Sequence, residues 1–229
     1  MNWDQIANHV TPYIVRVETP SGHGTGFVCL HNHDKSFCGI ATASHVVAYA
    51  DRWQQPIRIH HQPSGVIAFV SEEMRVIYND PDTDSAVILV PSTELDLPQD
   101  PIPLLPTDTP LPIGTEVGWL GYPGLVSQTL CFFSGTISAR QEGRHAYLID
   151  GVAINGVSGG PVVYSTPTDG VRIIGTISAY VANRATGESL PGLAVAQDVS
   201  HFHDTIAQIN SIDDARQQQE QDTQPPPSS

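Results

Sequence analysis

The sequence predicts an all-β protein made of two antiparallel lobes of about six strands each. Short runs rich in β-branched residues recur between clusters of Gly, Pro, Asn and Asp, which is typical of an antiparallel barrel or sandwich. A proline-rich segment separates these runs into two series, and no long helical pattern interrupts either series. With 229 residues, the chain is long enough to bury a sizeable core.

The first lobe is predicted over about residues 12–90 and the second over about residues 115–199. Residues 91–114 hold seven prolines, which cannot donate to a sheet, so we expect this segment to connect the lobes. The runs of the first lobe are "YIVRVET", "GTGFVCL", "FCGIATA", "IRIHHQ", "VIAFVS", "MRVIYN" and "SAVILVP". Those of the second lobe are "TEVGWLGYP", "TLCFFSGTISAR", "HAYLIDG", "GPVVYS", "VRIIGTISAYV" and "GLAVAQDV".

A short helix is predicted over residues 201–210, after the second lobe. Phe202, Ile206 and Ile209 recur at helical spacing, and Ser200 stands where a helix cap is favoured. Residues 212–229 are polar and rich in Gln and Pro, so we expect a disordered tail or the start of a linker. The predicted folded unit is therefore residues 1–211.

The charge balance argues against nucleic acid and anionic membranes as partners. The sequence contains ten Lys and Arg residues and 24 Asp and Glu residues. The resulting formal net charge of −14 at pH 7 repels phosphate groups. No segment approaches 18 consecutive apolar residues, and the N-terminus lacks the basic start and apolar run of a signal peptide. We therefore expect a cytoplasmic protein that does not bind membranes.

The cysteines and histidines do not form a metal-binding pattern. Cys29 and Cys38 flank "LHNHDKSF" and could face each other across a hairpin, but in a reducing compartment we expect free, buried thiols. Three histidine pairs have no Cys or acidic partner at ligand spacing, so we expect surface histidines and neither a metal nor a cofactor. These pairs are His31 with His33, His60 with His61, and His201 with His203.

The stretch "NGVSGGPVV" crowds Ser158 with glycine. It is either a tight turn that happens to carry a serine or a turn that presents a nucleophile. A nucleophilic serine needs a base within hydrogen-bond reach and a third group that orients the base. His45 follows a predicted strand in a turn of small residues, and Asp84 precedes a buried strand, where an acid is costly unless it has a partner.

Several motifs in this order resemble the chymotrypsin-fold serine peptidases, most closely their bacterial trypsin-like and HtrA-type branch. The resemblance runs from Tyr13 to Val199. It implies two six-stranded β-barrels with a short C-terminal helix. It also implies a triad in which Asp84 orients His45 and His45 activates Ser158 to form an acyl-enzyme. The motifs are "GHGTGFV", "TASHVV", "DTDSAVILV", "LGYPG", "GVSGGPVV", "IIGTIS" and "PGLAVA".

The resemblance further implies an oxyanion hole and a substrate pocket. The backbone N–H groups of Gly156 and Ser158 would bind the oxyanion. Because no acid lies at the pocket base, a neutral, small to medium apolar residue is expected at the cleavage site. The residues expected at the pocket are Val152 at its base, with Ala153, Asn155, Ser178, Ala179, Tyr180 and Gly192. Ser178 also stands where the family places a hydroxyl against the triad acid, here Asp84.

Val157 stands where digestive members of the family carry an acid that pairs with a new N-terminus after cleavage. Activation by cleavage is therefore not expected, and the oxyanion turn has to be ordered by packing or by a partner. A catalytically silent scaffold or binding module of the same fold is the alternative function. The expected partner is a protein or peptide substrate, and an activating partner or a further domain after the tail stays open.

Overall fold

Two antiparallel sheets, one for each half of the chain, make up the fold and confirm the predicted all-β class. The computed structural model describes the backbone of residues 1–183 and 190–223, and the side chains of residues 1–179 and 193–219. These residues form thirteen strands, β1 to β13, and three α-helices, α1 to α3.

The first lobe is a seven-stranded sheet in the order β5-β4-β1-β2-β3-β7-β6. All seven predicted runs form strands, but the sheet is open where a six-stranded barrel was expected. The buried Arg75, between β5 and β6, donates to the Val70 carbonyl at the end of β5 and to the Gln55 carbonyl before β4. The strands are β1 (Ile14–Thr19), β2 (Gly22–His31), β3 (Phe37–Ala43), β4 (Ile57–His61), β5 (Val66–Val70), β6 (Val76–Asp80) and β7 (Ser85–Pro91).

The second lobe is the closed six-stranded barrel that was predicted, in the order β10-β13-β12-β11-β8-β9. Closure pairs every edge and leaves the inward side chains, such as Trp119, Ile137 and Ile149, fully buried. The strands are β8 (Glu116–Gly121), β9 (Cys131–Gln141), β10 (Ala146–Asp150), β11 (Pro161–Thr166), β12 (Gly170–Asn183) and β13 (Leu190–Asp198).

The three helices are α1 (Trp3–Val10), α2 (Ser44–Arg52) and α3 (Ser200–Thr223). Neither α1 nor α2 was predicted from the sequence. The predicted terminal helix begins as expected but continues beyond residue 210, so residues 212–223 are helical, whereas a disordered tail or the start of a linker was predicted there. Residues 224–229 of that predicted tail lie outside the described part of the chain. No helix in the described residues is long and apolar enough to cross a membrane.

Both terminal helices hold the lobes together. The Trp3 ring of α1 lies 5.5 Å from the Phe132 ring of the barrel, and Val10 is fully buried in a core that both lobes share. The Phe202 ring of α3 meets the Phe27 ring of the first lobe edge to face, with ring centres 6.1 Å apart. Aromatic pairs of this geometry stabilise by about 0.5–1.5 kcal/mol beyond the area they bury.

The predicted connector between the lobes packs against the barrel. Leu105 N–H donates to the Ile173 carbonyl at 2.8 Å, and Ile173 N–H donates to the Pro103 carbonyl at 3.0 Å. Ile102 and Leu105 are buried in the shared core. The connector therefore restrains the two lobes, between which the candidate site lies.

Cys29 and Cys38 are free and buried, as expected from the sequence. A β-bulge at Cys29 separates their directions, so Cys29 packs in the core shared by the lobes and Cys38 in the core of the first lobe. Burial raises the pKa of the Cys38 thiol to about 11 and also raises that of Cys29. Both thiols are therefore protonated and unreactive at neutral pH.

Candidate active site

His45, Asp84 and Ser158, predicted as a triad, lie at one cleft of about 330 Å³. The first lobe contributes His45 and Asp84, and the second contributes Ser158, as the order of the motifs predicted. The other residues that line the cleft are Ala153, Ile154, Asn155, Ile177, Ser178 and Ala179. Residues more than 100 positions apart are thus brought to one place.

His45 is the second residue of helix α2, which follows β3 directly. The sequence had predicted a turn of small residues here, and the structure corrects this to a helix start. The His45 side chain is 51% exposed. The first turn of α2 fixes the backbone of His45. Its half-exposed ring lies at the cleft, where one ring nitrogen is accessible to a substrate.

Asp84 ends the turn before β7 and binds both the ring and the backbone of His45. Its Oδ2 accepts from His45 Nδ1 at 2.9 Å, and its Oδ1 accepts from His45 N–H at 2.9 Å. The second bond supplies an acceptor to the first turn of α2, which has no side-chain cap of its own from Ala43. Asp84 has φ +48°, a left-handed conformation that Asp adopts more readily than most residues.

The carboxylate of Asp84 is stabilised in its charged form. Burial alone would raise the pKa of Asp84, but the hydrogen bonds from His45 and Ser178 outweigh burial and hold the pKa below its ordinary value. A carboxylate only accepts hydrogen bonds, so His45 Nδ1 carries the proton and Nε2 is the free, basic nitrogen. This is the tautomer that general-base chemistry requires.

Ser178 approaches Asp84 from the other lobe. Its hydroxyl donates to Asp84 Oδ2 at 2.5 Å, a short hydrogen bond to a charged acceptor. The pairing of β12 with β13 shifts by one residue between Ile177 and Ala179, so Ser178 is the extra residue of a β-bulge. Such bulges redirect a side chain out of the regular alternation, here toward the carboxylate.

The Ser158 hydroxyl points to the carbonyl of Ser178, at 3.5 Å, and makes no hydrogen bond to His45. His45 Nε2 likewise has no partner among the described residues. Rotation of the serine side chain, a motion of picoseconds to nanoseconds at accessible sites, changes the direction of Oγ. Hydrogen bonds between nucleophile and base are often loose until a substrate binds.

The turn around Gly156 presents two unused N–H groups. The Asn155 carbonyl accepts from Gly124 N–H at 2.7 Å, and because N–H and C=O point in opposite directions in a planar peptide, the Gly156 N–H points away from Gly124. Val157 O accepts from Gly160 N–H at 2.9 Å. The Ser158 N–H belongs to the same peptide as Val157 O, so it points away from Gly160. Neither the Gly156 nor the Ser158 N–H donates to any described residue.

Packing explains why glycine surrounds Ser158. Gly156 has φ +91°, and a Cβ there would collide with the Tyr122 carbonyl and lie 2.6 Å from His23 Nε2. Gly159 has φ +83°, and a Cβ there would collide with the carbonyl of Thr25 and the hydroxyl of Thr42. The glycines let the turn pass between β2 and the loop after β8, so packing within the chain orders it.

The expected pocket residues fall into three groups. Ala153, Asn155, Ser178 and Ala179 line the cleft. Val152 does not line it and is 49% exposed, whereas its neighbour Ala153 is buried, with 8% exposed. Tyr180 and Gly192 lie on β12 and β13, but their side-chain surroundings lie outside the described residues.

Sequence reasoning missed Ile154 and Ile177, which add apolar surface to the cleft, and the anchoring role of Gly124. Gly124 lies in "LGYPG", which the sequence analysis quoted only as part of the resemblance. No local pattern in the sequence indicates which loop binds the Asn155 carbonyl.

The paired histidines have local partners. His31 forms a hydrogen bond with the Pro98 carbonyl, and His203 with the Leu105 carbonyl. His60 pairs with Glu18, and His201 pairs with Asp80. His61 is buried between Ser64 and the Pro12 carbonyl, whereas a surface position was expected. Within the described ranges, no cluster of three or more His, Cys, Asp or Glu residues could hold a metal ion.

Comparison of the whole fold gives bacterial serine proteases among its matches. The crystal structure of the serine endoprotease from Yersinia pestis is 23% identical, with a TM-score of 0.66, and the match covers 92% of this chain and 67% of that one. An inactive form of the Rv3671c protease is 21% identical, with a TM-score of 0.61, over 89% of this chain and 92% of that one. An inactive serine-to-alanine mutant of Rv3671c from M. tuberculosis H37Rv is 19% identical, with a TM-score of 0.60, over 90% of each chain. These likenesses show the fold.

The sequence itself matches a family model. No curated protein sequence matches the chain closely. The model for the trypsin-like peptidase domain matches residues 24–168, which is more than half of the chain and includes His45, Asp84 and Ser158. The protein therefore belongs to the trypsin-like peptidase family and is a serine endopeptidase.

Proposed function

We propose that this peptidase cleaves peptide bonds through an acyl-enzyme on Ser158, with His45 as general base and Asp84 as the group that orients it. One observation carries the proposal: Ser178, Asp84 and His45 form a continuous hydrogen-bonded chain at the cleft that contains Ser158. A catalytic base needs this fixed tautomer, whereas a silent scaffold does not.

The geometry supports the following steps. His45 Nε2 accepts the Ser158 hydroxyl proton while Oγ attacks the carbonyl carbon, and the Gly156 and Ser158 N–H groups bind the oxyanion. The imidazolium then donates that proton to the leaving amine as the C–N bond breaks, which leaves an ester on Ser158. Water repeats the sequence and releases the acid, with His45 again accepting and returning the proton.

The lining of the cleft supports a preference for neutral, small to medium apolar residues on the acyl side of the cut. Ala153, Ile154 and Ile177 offer apolar surface, and Asp84, the cleft's one carboxylate among the described residues, already binds His45 and Ser178. A buried, unpaired cationic side chain costs several kcal/mol, whereas each buried methylene gains about 0.8 kcal/mol.

An unbiased peptide-library cleavage profile tests both parts of the proposal. We expect the wild-type protein to cleave after Ala, Val and Leu at least about tenfold faster than after Arg and Lys, from the cost of an unpaired charge. Ser158→Ala should lower turnover by about 10⁴–10⁶-fold, and adding His45→Ala should change little, because the two residues act as a unit.

Ser165→Ala is the matched control, since the Ser165 hydroxyl is buried and makes no hydrogen bond. It should cleave like the wild-type protein. Wild-type turnover by the Ser158→Ala variant would contradict the nucleophile assignment, and cleavage mainly after Arg or Lys would contradict the pocket assignment. A folded wild-type protein that cleaves nothing would favour the silent scaffold.

A further inference from the structure

Thr25, on β2, contacts both residues whose N–H groups make no hydrogen bond to a described residue, Gly156 and Ser158. Its side chain is fully buried, and its hydroxyl donates to the Gly156 carbonyl at 2.8 Å. Its backbone N–H donates to the Ser158 carbonyl at 2.8 Å. One residue of the first lobe therefore holds the nucleophile turn of the second lobe at two points.

The direction of each hydrogen bond at Thr25 is unambiguous. The hydroxyl also accepts from Tyr122 N–H at 2.9 Å. Because an N–H can only donate and a carbonyl can only accept, the single hydroxyl proton lies toward Gly156. The Thr25 backbone is fixed in turn, since its carbonyl accepts from the Thr42 hydroxyl at 2.7 Å.

These contacts restrain the two backbone rotations at Gly156. The bond from Gly124 N–H to Asn155 O orients the peptide before Gly156, and the Thr25 hydroxyl orients the peptide after it. A glycine has no Cβ to limit its conformation, so neighbouring groups have to select one. Without the Thr25 hydroxyl, the peptide after Gly156 keeps only the longer bond from Val157 N–H to the Ile154 carbonyl, at 3.1 Å.

We propose that Thr25 is a positioning residue that keeps the oxyanion hole formed in the resting enzyme. The inference rests on the proposed function, because it requires Gly156 and Ser158 to bind the oxyanion. It also means that Thr25, and not an activating partner, orders the turn around Gly156.

The test compares Thr25→Val, which keeps the shape and removes the hydroxyl, with Thr25→Ser, which keeps the hydroxyl. Thr176→Val is the matched control, since Thr176 is fully buried and its hydroxyl has no partner. Thr25→Val should lower kcat by about 10²-fold, as loss of an oxyanion donor does, with KM changed by less than about threefold. Thr25→Ser and Thr176→Val should keep kcat within about threefold of wild type.

A second readout separates a misplaced hole from a general loss of structure. A peptide boronic acid forms a tetrahedral adduct on the serine, so its affinity should fall in parallel with kcat/KM across wild type, Thr25→Ser and Thr25→Val. Circular dichroism and the Tm report folding. If Thr25→Val does not fold, Thr25→Ser still decides, since a tenfold loss of kcat in that variant overturns the inference.

The outcomes distinguish this inference from the proposed function. An active wild-type protein with wild-type kcat in Thr25→Val would overturn the role of Thr25 and leave the triad intact. Equal losses in Thr25→Val and Thr176→Val would also overturn it. A folded wild-type protein that neither cleaves nor binds the boronic acid would refute the proposed function, and this inference with it.

Discussion

Replacing Gly156 with Ala should separate the cost of backbone strain from the loss of the oxyanion hole. At φ +91°, any Cβ is strained, and this one would also lie 3.0 Å from Gly124 N and collide with the Tyr122 carbonyl. The turn therefore has to move away from the bond between Gly124 and Asn155 that directs the Gly156 N–H.

Gly114 provides a matched control for the strain. Its φ is +89°, nearly that of Gly156, but a Cβ there would have no atom within 4 Å. Gly114→Ala should therefore cost only the left-handed strain, about 1–2 kcal/mol, or a Tm lowered by about 2–8 °C for a protein of this size. Its turnover should stay at the wild-type level.

Gly156→Ala should show the same strain and also lose turnover. Misplacing one oxyanion donor costs about 2.7–4 kcal/mol in the transition state, so kcat should fall by about 10²–10³-fold. The assay is steady-state hydrolysis of a peptide with an apolar residue at the cleavage site, with Tm measured on the same samples. A kcat within about threefold of the Gly114→Ala value would refute the assignment of Gly156 to the oxyanion hole.

Further predictions concern the acid and its second donor. Asp84→Asn should lower kcat by about 10⁴-fold, because an amide no longer selects the tautomer with Nε2 free, and wild-type kcat in that variant would contradict the role of Asp84. The same variant should change acid stability. The pKa of Asp84 is lower in the folded state, so its contribution to stability is present above the unfolded-state pKa, about 3.9, and is lost as the pH falls through the folded value. Urea unfolding between pH 7 and 2 should therefore show a flatter acid dependence for Asp84→Asn than for wild type, and equal slopes would contradict the hydrogen-bonding account. Ser178→Ala should raise the pKa of Asp84, measured by carbon NMR, and lower kcat by about tenfold, since a hydrogen bond to a charged group contributes about 1.5–3 kcal/mol. An unchanged pKa would show that this bond does not form in solution.

Local patterns predicted the strands because each strand depends on a few adjacent residues, whereas the triad was predicted from the order of several motifs and the resemblance they carry. The β-branched runs, the acid before a buried strand and the glycines around Ser158 are all local features. The first lobe had seven runs in the sequence, but only the structure shows that, among the described residues, they form an open sheet with β5 and β6 at its edges. A cytoplasmic location and the end of the folded unit stay predictions.

Local patterns could not predict the contacts that order the site, because these contacts join distant segments. The bond from Ser178 to Asp84 spans 94 positions and was expected only from the resemblance, whereas the bond from Thr25 to Gly156, which spans 131, was not expected at all. The resemblance placed Val152 at the pocket base by counting back from Ser158. Val152 does not line the described cleft, and its role in specificity stays a prediction.

Covalent labelling tests whether Ser158 is a nucleophile activated by His45. A serine-directed fluorophosphonate is added to wild type, His45→Ala and Ser165→Ala, and the modified peptide is identified by mass spectrometry. We expect one adduct, on Ser158, in wild type and Ser165→Ala, and labelling slower by at least about 10³-fold in His45→Ala, since serine is a weak nucleophile without its base. A folded wild-type protein that stays unlabelled, or carries the adduct on another residue, would contradict this role of Ser158.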